Sequence, residues 1–286
     1  MVLPATGRPT VLRMVVGRQL AVLREKAGLS QSQAATAIRT SAWTVRRIER
    51  AEGALKLTHV KGLLHAYGVT DTAEVSSFLD LAREANKPGW WNGYADVVPA
   101  WFRVYLGLEQ DAEMIRGFEP QCVPGLLQTP EYARALFSAS HPGISQADID
   151  RKVAVRMRRQ AILARPNPPW LWLVIDESAL YRPVGGAVVM RAQLGHLIEV
   201  LALPRVTMQV MPMRVPYPAT FCMFYLLRFG VPELPDIAYC ESLASASYLD
   251  KPAEVAAYAQ GMDRLCGLAA PAEKTSAILS QLRALY

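Results

Sequence analysis

Four cysteines (Cys122, Cys222, Cys240, Cys266) and four histidines (His59, His65, His141, His196) are few for 286 residues, and no two cysteines stand in a C-x-x-C spacing. That poverty argues against a disulfide scaffold and against a zinc finger. His59 and His65 fall six residues apart in one helical stretch, which does not set them on one face as ligands at i and i+4 would be, so both read as surface or packing residues. Long apolar runs are missing too. The longest stretches free of Asp, Glu, Lys and Arg span 13 residues, for example Val215 to Leu227, which also holds two prolines. A bilayer-spanning helix takes about 20 apolar residues. Near the N-terminus Arg8, Arg13 and Arg18 interrupt any apolar core of an export signal, so a cytoplasmic protein is expected. Enzyme signatures are absent as well: there is no G-x-S-x-G, H-E-x-x-H, P-loop or G-x-G-x-x-G, and Gly185-Gly186 is a turn signal only. With 51% hydrophobic and 20% charged residues, the chain can bury a sizeable core, and its length suits two domains.

The net charge of +6 is unevenly placed. Residues 1–61 hold eleven Lys or Arg against three Glu, whereas residues 89–286 hold 18 basic and 18 acidic residues. The excess belongs to one small N-terminal block, the footprint of a surface that meets an anionic polymer such as nucleic acid.

Within that block, Val16, Leu20, Leu23 and Ala27 form a helical stripe that Gly28 closes, predicting a first helix over about 15–26. Ser30 caps a second helix, Gln31 to Ile38, with Ala34, Ala35 and Ile38 inward. After a turn at Arg39 and Thr40, Ser41 caps a third helix over about 42–51, with Val45 and Ile48 inward. Its outer stripe carries Trp43, Arg46, Arg47 and Arg50 at i, i+3, i+4 and i+7. A solvated charged face is the bland alternative. Guanidinium forks, however, match guanine O6 and N7 or phosphate oxygens, and a helix fits the major groove where those atoms are accessible. Val60, Leu63, Leu64 and Tyr67 predict a fourth helix, and Val75, Phe78, Leu79 and Ala82 a fifth reaching about Ala85.

The segment from Gly17 to Val69 resembles the helix-turn-helix domain of the Xre and phage-repressor family, through the R-x-x-x-G-L-S-Q run at Arg24 to Gln31, the small Ala35, and S-x-x-T-V-x-x-I-E from Ser41 to Glu49. The resemblance implies that Gln31 meets a phosphate, that Ala42, Trp43 and Arg47 face bases, and that Thr44 and Arg46 lie near the backbone. It also implies that Arg24 and Glu49 form a buried ion pair. Arg39 departs from the pattern, because the family usually has a turn glycine there; a residue at positive φ is expected, with an added phosphate contact as its use.

Asn86-Lys87-Pro88-Gly89 marks a boundary, dividing the chain into residues 1–88 and 89–286. The aromatics Trp90, Trp91, Tyr94, Trp101, Phe102 and Tyr105 open the second part and read as core. Between Phe118 and Leu136 a Pro- and Gly-rich loop leads to Thr129 as N-cap and Pro130 at the first helical position. A helix over Gln146 to Ala164 crowds Arg151, Lys152, Arg156, Arg158 and Arg159, which read as a solvated face in a neutral domain. Strands are expected at Trp170–Ile175, Val206–Met211, Thr220–Phe229 and Ile237–Cys240, with helices near Val189–Leu201, Pro252–Leu268 and Glu273–Leu285. The fold expected is therefore an all-α helix-turn-helix domain of about five helices followed by a larger α+β domain.

This second part resembles the C-terminal domain of WhiJ-like actinobacterial regulators, through Trp90-Trp91, the Leu108-Glu109 and Phe118-Glu119 pairs, V-P-G-L-L-Q-T-P-E-Y-A-R-A, D-E-S-A-L from Asp176, and Ala246-Ser-Tyr-Leu249. The resemblance implies transcription control and a small partner protein often encoded nearby. Two rival uses of the domain stay open. An enzyme would draw on Glu109, Glu119, Asp176, Glu177, Glu241, Ser242 and Tyr248, which the sequence does not bring together. A sensor would use the Met- and aromatic-rich strands, including Met208, Met211, Met213, Phe221, Met223, Phe224 and Tyr225, which core packing explains as well. The expectation is a non-enzymatic, sequence-specific DNA-binding regulator that acts on double-stranded DNA as a homodimer, without cofactor or metal. Its contact set is Gln31, Ser41, Ala42, Trp43, Thr44, Arg46, Arg47 and Arg50, and its control comes from a partner protein or a small-molecule effector.

Overall fold

The computed structural model of the chain describes residues 11–218, 220–232 and 234–286. Arg8, and with it part of the segment behind the expectation of no export signal, lies outside the described residues. No helix among the described residues is long and apolar enough to cross a membrane.

Five helices come first: α1 (Val11–Lys26), α2 (Gln31–Ala37), α3 (Ala42–Glu49), α4 (Leu57–Ala66) and α5 (Thr72–Ala85). They close over Val16, Leu20, Ala34, Ala35, Val45, Ile48, Val60, Leu63 and Leu64, the residues whose spacing marked them as inward. α2 stops one residue early. Thr40 N–H returns to the Ala35 carbonyl (2.9 Å) and Arg39 takes φ 51°, so an L side chain occupies the left-handed position that ends the helix. α3 also ends sooner than expected, at Glu49, because Ala51 turns left-handed (φ 57°) directly after the C-cap Arg50.

The first turn of α1 has a second role. Val11 and Val15 join the core of the following domain with Val104, Tyr105 and Leu108, against which Leu81 of α5 also packs, and Arg13 donates to the Ala85 carbonyl (3.0 Å). One turn later Gly17 meets the end of α3 so closely that a Cβ would lie 2.6 Å from the carbonyl oxygens of Ile48 and Glu49.

The second domain adds α6 (Ala100–Asp111), β1 (Met114–Glu119), α7 (Pro130–Ser140), α8 (Gln146–Gln160), β2 (Trp170–Asp176), α9 (Glu177–Tyr181) and α10 (Ala187–Val200). It continues with β3 (Val206–Met211), β4 (Phe224–Arg228), β5 (Ile237–Glu241), β6 (Ala246–Leu249), α11 (Pro252–Leu268) and α12 (Thr275–Arg283). The six strands form one sheet in the order β3-β2-β1-β4-β5-β6. β1, β2 and β3 are parallel, while β4, β5 and β6 follow antiparallel, which makes an α+β domain with a mixed sheet. One face buries Ile115, Leu171, Leu173, Ile175, Met208 and Tyr239 among α6, α7, α10 and α12. The other buries Phe118, Val174, Met211, Phe224 and Leu226 under α11.

The Met- and aromatic-rich strands therefore do not converge on one pocket: Met208 and Tyr225 face one core, Met211 and Phe224 the other, and Met213 is exposed. The opening aromatics do pack as core, with Trp91 buried and Trp90 edge-on both to it and to Tyr94. The solvated reading of α8 holds only in part. Arg159 is buried on Glu109 and Arg156 and Lys152 are half-buried against Phe137, whereas Arg151, bonded to Asp96, keeps 41% of its side chain exposed and Arg158 lies on the surface over Trp90. Charge counting sees a basic helix but not its counter-charges on α6 and the preceding loop. β1, absent from the strands expected, carries Arg116, Gly117 and Glu119, which interrupt its apolar pattern; Glu119 is bonded to Tyr225 and Arg116 lies under Trp172.

A methyl at position 17 would force α1 away from the backbone at the end of α3. Gly17→Ala is expected to lower stability by about 1–3 kcal/mol, the range for overpacking. Urea unfolding checks this, and an unchanged midpoint would show that the two helices can separate freely.

Candidate nucleic-acid interface

Helix α2 begins with a capping box: Ser30 Oγ accepts from Gln33 N–H (3.2 Å), and Gln33 Oε1 accepts from Ser30 N–H (2.8 Å). Ser41 caps α3 by accepting from Thr44 N–H (3.3 Å). These two caps, with the left-handed Arg39 between them, set the angle at which α3 crosses α2.

Behind α3 stands the expected ion pair. Arg24 Nε lies 2.6 Å from Glu49 Oε1 and Arg24 Nη2 lies 3.2 Å from Oε2, a two-pronged contact, while Nη1 donates to the Leu29 carbonyl (2.9 Å). Both side chains are largely removed from solvent, with 11% and 5% exposed. The hydrogen bond to Glu49 raises the Arg24 pKa against the opposing effect of burial. Gln31 joins this group: its amide donates to Glu49 Oε2 (2.8 Å), so one of its two N–H groups is spent inside the protein.

The outer face of α3 is less uniform than its spacing suggested. Trp43 is 63% exposed and Arg46 is exposed, as expected of a contact surface. Arg47 lies over the Trp43 ring (4.6 Å to the centroid) and donates to the Glu52 carbonyl (2.8 Å). Arg50 is paired with the Glu52 carboxylate (3.1 Å). Ser41 is exposed, and Ala42 and Thr44 are partly so. Glu52, which anchors two of the three arginines, is the residue that helical spacing missed, because it lies beyond the helix end. The capping partner Gln33 was legible as S-x-x-Q but was not singled out.

Two family models match. A helix-turn-helix domain covers residues 15–78, and a domain of unknown function, DUF5753, covers residues 102–281. The chain belongs to the DUF5753 family. No curated protein and no solved structure matches it. The helix-turn-helix domain ahead of the DUF5753 region supports a DNA-binding regulator.

In the DUF5753 region the acids set aside for a rival enzyme are partly gathered. Glu109 is bound to Arg159, while Glu119 accepts from Tyr225 (2.5 Å) and Glu241 from Tyr239 (2.6 Å). Tyr248 instead donates to the Trp101 carbonyl (2.6 Å), Asp176 caps α9, and Glu177 accepts from Met213 N–H. Burial pushes Glu119 up to about 7, against the lowering effect of the Tyr225 hydrogen bond.

Removing Glu49 strands Arg24 in a site nearly closed to water. Glu49→Ala and Arg24→Ala are each expected to cost about 3 kcal/mol, as for a broken buried pair, and the double variant less than the sum. Chemical denaturation of all four proteins checks this, and simple additivity would deny the pair. For Glu119 the folded state keeps a proton that the unfolded chain releases from pH 4.5 upward, so its contribution is intact at lower pH and is lost as pH rises through about 7. The stability of Glu119→Gln should fall less between pH 5 and pH 8 than that of the parent. Parallel falls in urea midpoint would assign the change to other groups.

Proposed function

We propose that this chain is a sequence-specific transcription regulator that lays α3 and its extension to residue 51 in the major groove of double-stranded DNA. The observation that carries the reading is the exposed Trp43 and Arg46 on a helix whose opposite side is locked by Arg24, Glu49 and Gln31. An exposed indole with one guanidinium over its ring and a second beside it presents a flat apolar surface and cationic donors together to a ligand. In this reading Ala42, Trp43 and Arg47 face base edges. Gln31, through its remaining amide N–H, together with Ser41, Thr44, Arg46 and Arg50, faces the phosphate backbone. Arg47 reaches a guanine by leaving the Glu52 carbonyl, a short swing about a side chain already stacked on Trp43.

One such head reads few base pairs, so the chain works as a homodimer on half-sites about 34 Å apart, joined through the second domain. Control by a partner protein or a small effector enters through that domain, and the packing of Val11 and Val15 into its core supplies a physical route to α1 and hence to α3. The reading assigns no catalytic step and no cofactor.

Fluorescence anisotropy on the DNA upstream of the coding sequence and on a scrambled duplex, at two salt concentrations, tests the proposal. Preference for the upstream fragment that survives the higher salt is expected; equal, salt-sensitive binding to both would reduce the domain to a basic surface. Arg47→Ala should cost about 1–3 kcal/mol and relax sequence preference, while Arg46→Ala should weaken all sequences alike and lower the salt slope by about one. Parental binding by both variants would remove α3 from the groove.

A further inference from the structure

The V-P-G-L-L-Q stretch is folded around two guanidiniums of α8 that are treated unequally. Arg159 meets Glu109 with both prongs (2.9 and 2.7 Å). Arg156, packed against Phe137 (5.0 Å to the ring centroid), has a neutral partner instead, Gln128 Oε1 at 3.0 Å, and forms no ion pair among the described residues. The loop closes tightly on both: a Cβ at Gly125 would lie 2.5 Å from Arg156 Nη1 and 3.1 Å from Arg159 Nη1. Gln160 braces the loop through the carbonyls of Gly125 (3.3 Å) and Gln128 (2.7 Å), and Gln193 through that of Leu127 (2.7 Å). A half-buried guanidinium in a rigid loop, with an amide in place of a paired carboxylate, keeps N–H donors that an anion can take.

The surroundings are polar and reach the surface. Glu119, bonded to Tyr225, ends β1, and Glu241, bonded to Tyr239 and exposed, ends β5, with half-buried Cys122 beside them. β1 and β5 point the same way on either side of β4, and the chain leaves β1 toward β2 but leaves β5 toward β6. The carboxyl ends of β1 and β5 therefore lie on one edge of the sheet, which sets Glu119 and Glu241 on the same side. Burial and the neighbouring Arg159 lower Arg156 to about 10, which leaves it charged at neutral pH.

We propose that Arg156 receives the carboxylate of a small organic acid, and that Glu241 and the Glu119–Tyr225 pair take an adjacent hydroxyl or ammonium of the same molecule. The two carboxyl groups disfavour a dianionic phosphate at this place. The inference deepens the control assigned above to the second domain, and rests on that reading only for its consequence at DNA.

Thermal unfolding of the full chain, without DNA, would be followed while titrating each L-amino acid, lactate, malate, citrate and inorganic phosphate. A saturable rise in Tm with at least one organic acid, absent with phosphate, lost in Arg156→Gln and reduced in Arg156→Lys, is expected. Should Arg156→Gln not fold, Gly125→Ala crowds the guanidinium without removing it and is expected to weaken the response. No saturable rise with any acid, an equal rise with phosphate, or a rise that persists in Arg156→Gln or in Gly125→Ala would each overturn the site. Because no DNA is present, these outcomes are independent of the anisotropy result.

Discussion

The contact between Arg24 and Glu49 is the constraint on which the N-terminal unit turns. It joins the last turn of α1 to the last residue of α3, and takes the first residue of α2 with it through the Gln31 amide. Of the three helices it joins, α2 and α3, of seven and eight residues, are too short to persist alone. What holds α3 at one angle is the pair behind it and the close approach at Gly17, so that a side chain on its outer face is aimed by contacts made on its inner one. The pair is geometrically close and bidentate, the condition under which attraction in a poorly solvated place offsets the cost of removing both charges from water.

The same helix ties the unit to the sheet domain. α1 enters the second core with Val11 and Val15, and within a turn is in contact with the carbonyls that end α3. Division at residue 88 describes the chain's order but not its packing, since the first described turn belongs to the core formed after that boundary. A rearrangement of α6 against α1 would be felt at α3 without an intervening loop, because packed interfaces move between discrete arrangements rather than bending smoothly.

Legibility followed how local the signal was. Helices α1 to α5 were readable because each is amphipathic with a cap or a breaker at its ends, and Ser30, Ser41, Gly28 and Arg39 are all near-neighbour effects. The Arg24–Glu49 pair lay beyond any spacing argument, being 25 residues apart, and was reached only through resemblance. In the sheet domain β2 and β3 were readable as apolar runs. β1 was not, because Arg116 and Glu119 are polar residues satisfied by partners more than 100 positions away. β6 is a four-residue edge strand, too short to show a period, and its Tyr248 is fixed by the distant Trp101 carbonyl.

The arginines of α3 and α8 show why composition locates a surface and cannot by itself assign it. Both helices are rich in guanidinium, and a count of charge favoured the first as a contact face and the second as a solvated one. On α3 two of three arginines are braced by Glu52, leaving Trp43 and Arg46 as its open part; on α8 one arginine is neutralised by Glu109 and its neighbour is left with an amide. What separates them is the solvent each guanidinium has lost and the partner it has gained. An exposed arginine such as Arg46 gives up little to stand unpaired, since water serves it. A half-buried one such as Arg156 gives up more, and the Pro-Gly loop that closes on it is braced at three carbonyls, which holds the cation where its hydrogen-bond partner is an amide and not a carboxylate. A loop held rigid around a guanidinium without a paired carboxylate keeps its donors aimed at one place, so an anion that binds there adds its binding free energy to the stability of the folded chain.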